Sequence, residues 1–101
     1  MEQFKELDPI LHSQLRLAVV SLLIGLKEAE FTFIKEKTGA TAGNLSVQIE
    51  KLVNEGYITI EKTYKGKRPL TICRISKKGI EQFDLYVKAL QQYLHTSKKG
   101  K

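Results

Sequence analysis

The sequence predicts a mainly helical α+β domain: three helices, a two-stranded β-hairpin, then a long closing helix. Three observations carry this reading. Apolar residues recur at helical spacing, in three capped segments, from Ser13 to Gly56. After Gly56 the period drops to two, in Tyr57-Ile58-Thr59-Ile60 and again in Leu70-Thr71-Ile72-Cys73-Arg74-Ile75. Helical spacing then returns, with Ile80, Phe83, Val87, Leu90 and Leu94 stepping by three and four residues.

The first full helix is expected after a short lead-in. Phe4 and Leu7 stand among charged residues, and Asp8-Pro9 is a capping pair suited to a brief turn that Ile10 follows. Ser13 caps a helix to about Leu26 whose apolar residues cover much of its circumference, marking it as the most buried. Glu28 to Glu30 reads as a turn, with Phe31 as one short extended residue. Thr32 is the expected cap of a second helix, Phe33 to Thr38, which Gly39 ends.

The third helix has both ends marked. Thr41 is the candidate N-cap, and Gly56 can adopt the positive φ found just past a helix C-terminus. Leu45, Ile49, Leu52 and Val53 form its apolar stripe. Gly43, Asn44, Val47 and Lys51 lie opposite, flanked by Ser46 and Gln48. Charge is sparse near this N-terminus and the side chains are short, which suits close approach to another surface such as a DNA major groove. Helix, short Gly-containing turn, helix is the spacing of a helix-turn-helix.

The hairpin and last helix complete the chain. Tyr64-Lys65-Gly66-Lys67-Arg68-Pro69 is a basic turn with Gly at its tip. Ser76 caps a helix from Lys77 to about His95. Its seam of Ile80, Phe83, Val87, Leu90 and Leu94 could pack on the domain's own core or on a partner; self-association is favoured, making it the expected dimer interface, with Phe4, Leu7 and Ile10 contributing. The chain thus divides into one domain, residues 1–95, and a disordered basic tail, residues 96–101.

Length and composition narrow the function. A chain of 101 residues, 42% hydrophobic and 28% charged, has the make-up of one globular domain. No apolar run approaches the roughly 18 residues of a membrane span, and no signal-peptide pattern opens the chain. One cysteine, Cys73, precludes an internal disulfide and fits a reducing cytoplasm. The net charge of +6 is concentrated: Lys62 to Lys78 holds seven basic residues and no acidic one. The rest of the chain is nearly neutral, so a polyanionic partner is favoured over general solubility.

Several stretches together resemble small winged helix-turn-helix regulators of the ArsR-like and MarR-like type. Leu15-Arg16-Leu17-Ala18-Val19 is similar to the start of their first helix. Phe31-Thr32-Phe33, Lys35 and Thr38-Gly39 resemble their second helix and turn. Gly43-Asn44-Leu45-Ser46, Ile49, Leu52 and Gly56-Tyr57-Ile58 resemble the recognition helix and its exit. Lys67-Arg68-Pro69-x-Thr71 looks like the wing, and Ser76-x-x-Gly79 like the start of the final helix. The likeness covers about residues 12 to 85. Val47 departs from many relatives, which carry a basic residue there.

The resemblance implies a three-helix core, a two-stranded β wing and a long C-terminal helix, assembled as a homodimer on double-stranded operator DNA. The third helix, 42–55, would enter the major groove and the wing, 62–69, would meet flanking backbone or minor groove. Gly43, Asn44, Val47 and Gln48 are then the base-facing candidates. Thr41, Ser46 and Lys51 are phosphate candidates, joined by Lys65, Lys67 and Arg68 of the wing. The planar fork of Arg68 suits a minor groove or a bidentate phosphate contact. The alternative is a winged-helix module for protein–protein contact, or an architectural DNA binder without one operator.

Catalytic machinery is not expected. His12 and His95 are far apart and belong to no ligand or catalytic motif, and Cys73 alternates within a strand as a core residue does. Metal and cofactor are both expected to be none, since one Cys and two scattered His do not make a ligand cluster. Thr38 to Gly43 lacks the lysine of a phosphate-binding loop.

Overall fold

A computed structural model describes residues 4–99, with side chains through Leu94. Its order is α1 (Gln14–Leu26), β1 (Glu28–Glu30), α2 (Phe31–Thr38), α3 (Ala42–Asn54), β2 (Ile58–Lys65), β3 (Arg68–Ile75) and α4 (Lys77–Lys99). The expected division into three helices, hairpin and long helix is present, with one addition. Glu28 to Glu30 is a strand rather than a turn, pairing antiparallel with Ile72 to Arg74. The sheet is therefore three-stranded, in the order β1-β3-β2.

The added strand moves the start of the second helix. Glu30, extended at φ −71° and ψ 148°, passes directly into α2, which starts at Phe31 with no side-chain cap. Thr32 thus lies inside the first turn and is not the cap. Lys27 makes the corner between α1 and β1 at φ 73°, a backbone conformation that side chains rarely adopt. Its amide donates to Leu23 O at 2.7 Å and its carbonyl accepts from Ile75 N at 3.0 Å. Those two bonds hold the chain in the strained corner.

Other ends form as their residues dictate. Thr41 Oγ1 accepts from the Asn44 amide at 3.1 Å. At the far end of α3, Gly56 takes φ 80°. Its amide donates to Val53 O and the Tyr57 amide to Leu52 O, both at 2.9 Å. That pair of bonds is a Schellman motif, which Gly56 permits. Ser76 Oγ accepts from the Gly79 amide at 2.9 Å and so caps α4. The helix then runs past its expected end at His95 to Lys99, because nothing in Thr96-Ser97-Lys98-Lys99 breaks it and lysines suit a helix C-terminus. Gly100 and Lys101 of the expected tail lie outside the described residues.

The core forms where α1 meets everything else. α1 packs against α2, α3, α4, β1 and β3. Val19, Val20 and Leu23 of α1 are buried with Ile34 of α2 and with Leu45, Ile49 and Leu52 of α3. Ile58 and Cys73 close it from the sheet, Tyr57 from the corner before β2, and Tyr86 from the middle of α4. Burying a side chain of this size contributes about 1.5–3 kcal/mol. Among the described residues no buried side chain is polar apart from the tyrosines, and none lacks a hydrogen-bond partner.

The lead-in runs back along α4. The Lys5 amide donates to Gln92 Oε1 at 3.0 Å, and Phe4 packs on Tyr93 with ring centroids 4.7 Å apart. Further on, His12 Nδ1 and the Tyr86 hydroxyl share a hydrogen bond at 3.0 Å. Leu7 and Ile10 are half-buried against the core. The three residues expected to assist a partner are thus engaged within their own chain.

Candidate nucleic-acid interface

The α3 helix turns its apolar stripe inward and leaves its other face free. Leu45, Ile49 and Leu52 are buried, whereas Thr41, Gly43, Asn44, Ser46, Val47 and Lys51 are exposed. Val47 keeps 49% of its surface. Gln48 alone of the base-facing candidates is half-buried, because it is held from behind. Arg16 Nη1 of α1 donates to Gln48 Oε1 at 2.5 Å, and Gln48 Nε2 donates to Asn44 Oδ1 at 3.1 Å. The Arg16 fork is itself fixed by Nε donating to Ile10 O at 2.7 Å.

Arg16 joins the site although the sequence pattern marks it only as part of the first helix. Its partner lies 32 residues away, beyond the reach of any local motif. An arginine following a cap residue on an otherwise apolar helix is the one available signal. A charged group at that place needs acceptors near it.

The hairpin forms a basic tip on a paired stem. Lys65 faces Arg68 across a two-residue turn, with Gly66 at φ 64° in the first central position, as a type II′ turn requires. The strands therefore extend further into the basic stretch than Tyr57–Ile60 and Leu70–Ile75. Pro69 stands opposite Tyr64, beyond the reach of β1, where a missing amide proton leaves no ladder bond unmade. Lys65, Lys67 and Arg68 are all exposed.

The seven basic residues of this region are not equivalent. Arg74 bridges the sheet, Nε to Glu28 at 2.6 Å and Nη1 to Glu61 at 2.7 Å. These two carboxylates hold its guanidinium above its ordinary pKa. Lys78 Nζ donates to Glu55 O at 2.7 Å, capping the C-terminus of α3, and lies over the Tyr57 ring. Arg68 makes one loose pair with Glu30, at 3.8 Å. Arg74 and Lys78 thus serve the fold. Lys62, Lys65 and Lys67 of the hairpin and Lys77 at the start of α4 make no ion pair among the described residues.

Helix α3 and the hairpin are joined at a short corner, since only Glu55 to Tyr57 separate them. A slim helix face and a cationic ribbon on one body are the parts needed to enter a groove and to follow its backbone. Residues 15–94 match the family model described as a winged helix DNA-binding domain. The chain belongs to that family. It is 35% identical over 83 residues to an uncharacterized protein of Methanocaldococcus jannaschii, covering 82% of this chain and 90% of that one. A solved structure of a transcriptional regulator homologue from Pyrococcus horikoshii superposes with a TM-score of 0.81 at 26% identity, covering 86% of both chains. A MepR-like protein complexed with pseudoligands shares the fold, with a TM-score of 0.68 at 14% identity over 84% of this chain and 59% of its own.

The surroundings bear on other chemistries. No described helix is long and apolar enough to cross a membrane. Among the described residues no group of three or more His, Cys, Asp or Glu could hold a metal ion. His12 spends its Nδ1 on Tyr86, and Cys73 is fully buried. His95, of which only the backbone is described, lies within α4.

The expected dimer seam occupies a distinct side of α4. Tyr86 and Ala89 are buried against the rest of the chain. Ile80, Leu90 and Leu94 keep 48%, 37% and 62% of their surface, and Phe83 and Val87 of the same seam are half-buried. At about 100° per residue, the seam lies roughly a quarter turn from the buried face. An apolar stripe remains uncovered along one edge.

Proposed function

We propose that this protein is a sequence-specific, double-stranded-DNA-binding transcriptional regulator that acts as a homodimer in the cytoplasm. The observation that carries the reading is the pairing of an exposed, sparsely charged α3 N-terminus with the cationic hairpin tip on the same body. Asn44, Val47 and Gln48 face base edges where Gly43 permits close approach. Thr41, Ser46 and Lys51 meet phosphates. Lys65, Lys67 and Arg68 contact the flanking backbone or minor groove.

The uncovered stripe of Ile80, Phe83, Val87, Leu90 and Leu94 supports two-fold association through α4. One short reading helix spans too few base pairs for an operator, whereas a dimer reads two half-sites about 34 Å apart. The likeness to a transcriptional regulator homologue of Pyrococcus horikoshii favours regulation over a purely architectural role.

The test is binding to a mixed-sequence duplex of about 30 base pairs, titrated at several salt concentrations. A dimer neutralising about eight phosphates gives a log–log slope near −7. Absence of binding at low salt, from a folded dimer, would overturn the DNA reading in favour of a protein-contact module.

A further inference from the structure

The hydrogen bonds behind α3 run in one direction, and that direction constrains base choice. A guanidinium carries only donors. Arg16 therefore obliges Gln48 to present its side-chain oxygen inward, as the 2.5 Å contact shows. The Gln48 nitrogen is then turned along the helix and donates to Asn44 Oδ1 at 3.1 Å. Asn44 in turn has its oxygen facing Gln48, which leaves Nδ2 as the polar atom of that side chain without a partner among the described residues. No hydrogen bond among the described residues uses that nitrogen, and Asn44 is exposed at the helix N-terminus.

The start of the relay is secured independently of α3. Arg16 Nε donates to Ile10 O at 2.7 Å and Nη2 to Pro9 O at 3.5 Å. The Asn44 amide is anchored by Thr41 Oγ1. Arg16 is thus fixed to backbone and the start of α3 to its cap, and between them two side-chain amides can each face either way. Arginine removes that freedom.

We propose that Arg16 is a positioning residue that sets the base preference of Asn44 through Gln48, without touching DNA. A free asparagine pairs bidentately with adenine, taking a proton from N6 and giving one to N7. Here the oxygen is engaged by Gln48 along the helix and the nitrogen is left without a partner, so the position Asn44 meets is read for acceptors. Guanine, with O6 and N7 side by side, fits that requirement; adenine offers one acceptor beside a donor. The inference rests on the DNA-binding reading above and adds which base the helix selects and why.

The experiment uses the full chain and a site chosen by selection from random duplexes, with every position then changed to all four base pairs. Wild-type protein should favour guanine over adenine at one position in each half-site by about tenfold. Arg16→Met should bring that ratio to within about twofold with an unchanged salt slope, since no phosphate contact is lost. Arg16→Lys, still donor-only, should restore part of it. Gln48→Glu is the second, independent variant. Its carboxylate only accepts, so Asn44 must turn its nitrogen towards that carboxylate and leave its oxygen free, reversing the preference towards a base bearing a donor.

Thermal unfolding of each variant separates loss of fold from loss of preference. An Arg16→Met protein that is folded and keeps the guanine preference overturns the inference, as does a Gln48→Glu protein with no reversal. Those results leave the DNA-binding reading standing. A wild-type protein that binds no duplex, or all duplexes equally, overturns the reading of a sequence-specific regulator and the inference with it.

Discussion

The Tyr57 hydroxyl donates to Asp8 Oδ2 at 2.5 Å, tying the exit of α3 to the turn before α1 across 49 residues of chain. Asp8 uses its other oxygen on the Ile10 amide at 2.8 Å, so one carboxylate organises both segments. Burial, then the Asp8 hydrogen bond, then the charges of Asp8 and Glu55 push the Tyr57 hydroxyl well above its ordinary pKa. The neutral form is the one the fold favours. Its stabilisation is fully present below about pH 10, the unfolded value, and is lost as pH rises from there towards the folded value. Tyr57→Phe should cost about 1–2 kcal/mol at pH 7. Urea unfolding from pH 7 to 11 should show the gap between variant and wild type closing above about pH 10.

Gly79 is required by contact rather than by backbone conformation. A Cβ there would stand 2.2 Å from Tyr57 O and 2.8 Å from Ile75 Cδ1. Gly79→Ala should therefore destabilise by about 1–3 kcal/mol or more, since the carbonyl is backbone and cannot turn aside. A denaturation midpoint equal to wild type would show that α4 can shift away from Tyr57.

The basic residues differ in what they are free to do. On the proposed reading Lys67→Gln takes away one phosphate contact per subunit, and in a dimer it should reduce the magnitude of the log–log salt slope by about 1.8. Arg74→Gln should leave the slope unchanged, because Glu28 and Glu61 already hold that guanidinium. Equal effects from the two substitutions would mean that Arg74 leaves its carboxylates on the DNA.

Val87→Glu places a charge in the α4 seam between Phe83 and Leu90. Sedimentation should show monomers, with circular dichroism unaltered, because Tyr86 and Ala89 supply the packing within the chain. A variant with the wild-type dissociation constant would remove α4 from the interface.

Cys73 faces the core from β3, opposite Ala29 and Ile60. Burial pushes its thiol up to about 11, so at pH 8 it is both protonated and covered. Reaction with a thiol reagent should be limited by unfolding and become immediate in denaturant. Prompt reaction of the folded protein would show local opening of the strand.

Much of this was legible in the residues, and the parts that were not share a cause. Thr41, Gly56 and Ser76 act on neighbours within three or four positions, so their chemistry can be read along the chain. Glu28-Ala29-Glu30 has no β-branched or aromatic residue, and three residues are too few for their alternation to signal a strand. It is a strand because the edge of β3 is there to pair with, over 40 residues later. The unexpected strand also displaces the start of α2, which begins after the last extended residue rather than at the first hydroxyl. Arg16 and Lys78 are likewise explained only by carbonyls and amides brought close by folding. Charge counted along Lys62 to Lys78 therefore overstates what is available to a polyanion.

The short β1 strand also fixes how the hairpin can move. It covers β3 from Ile72 to Arg74 only, so the root of the ribbon is clamped on both sides while Lys62–Thr71 and everything beyond it stands as a two-stranded cantilever. About four residue pairs project from that clamp, a reach of roughly 13 Å at 3.3 Å per residue. Compliance of such an arm grows steeply with its length, and its loading point, the lysine-bearing tip, is its far end. Adding one residue pair would lengthen the reach without disturbing a single core contact, so the length of the arm and the packing of the body that holds it are set by separate residues.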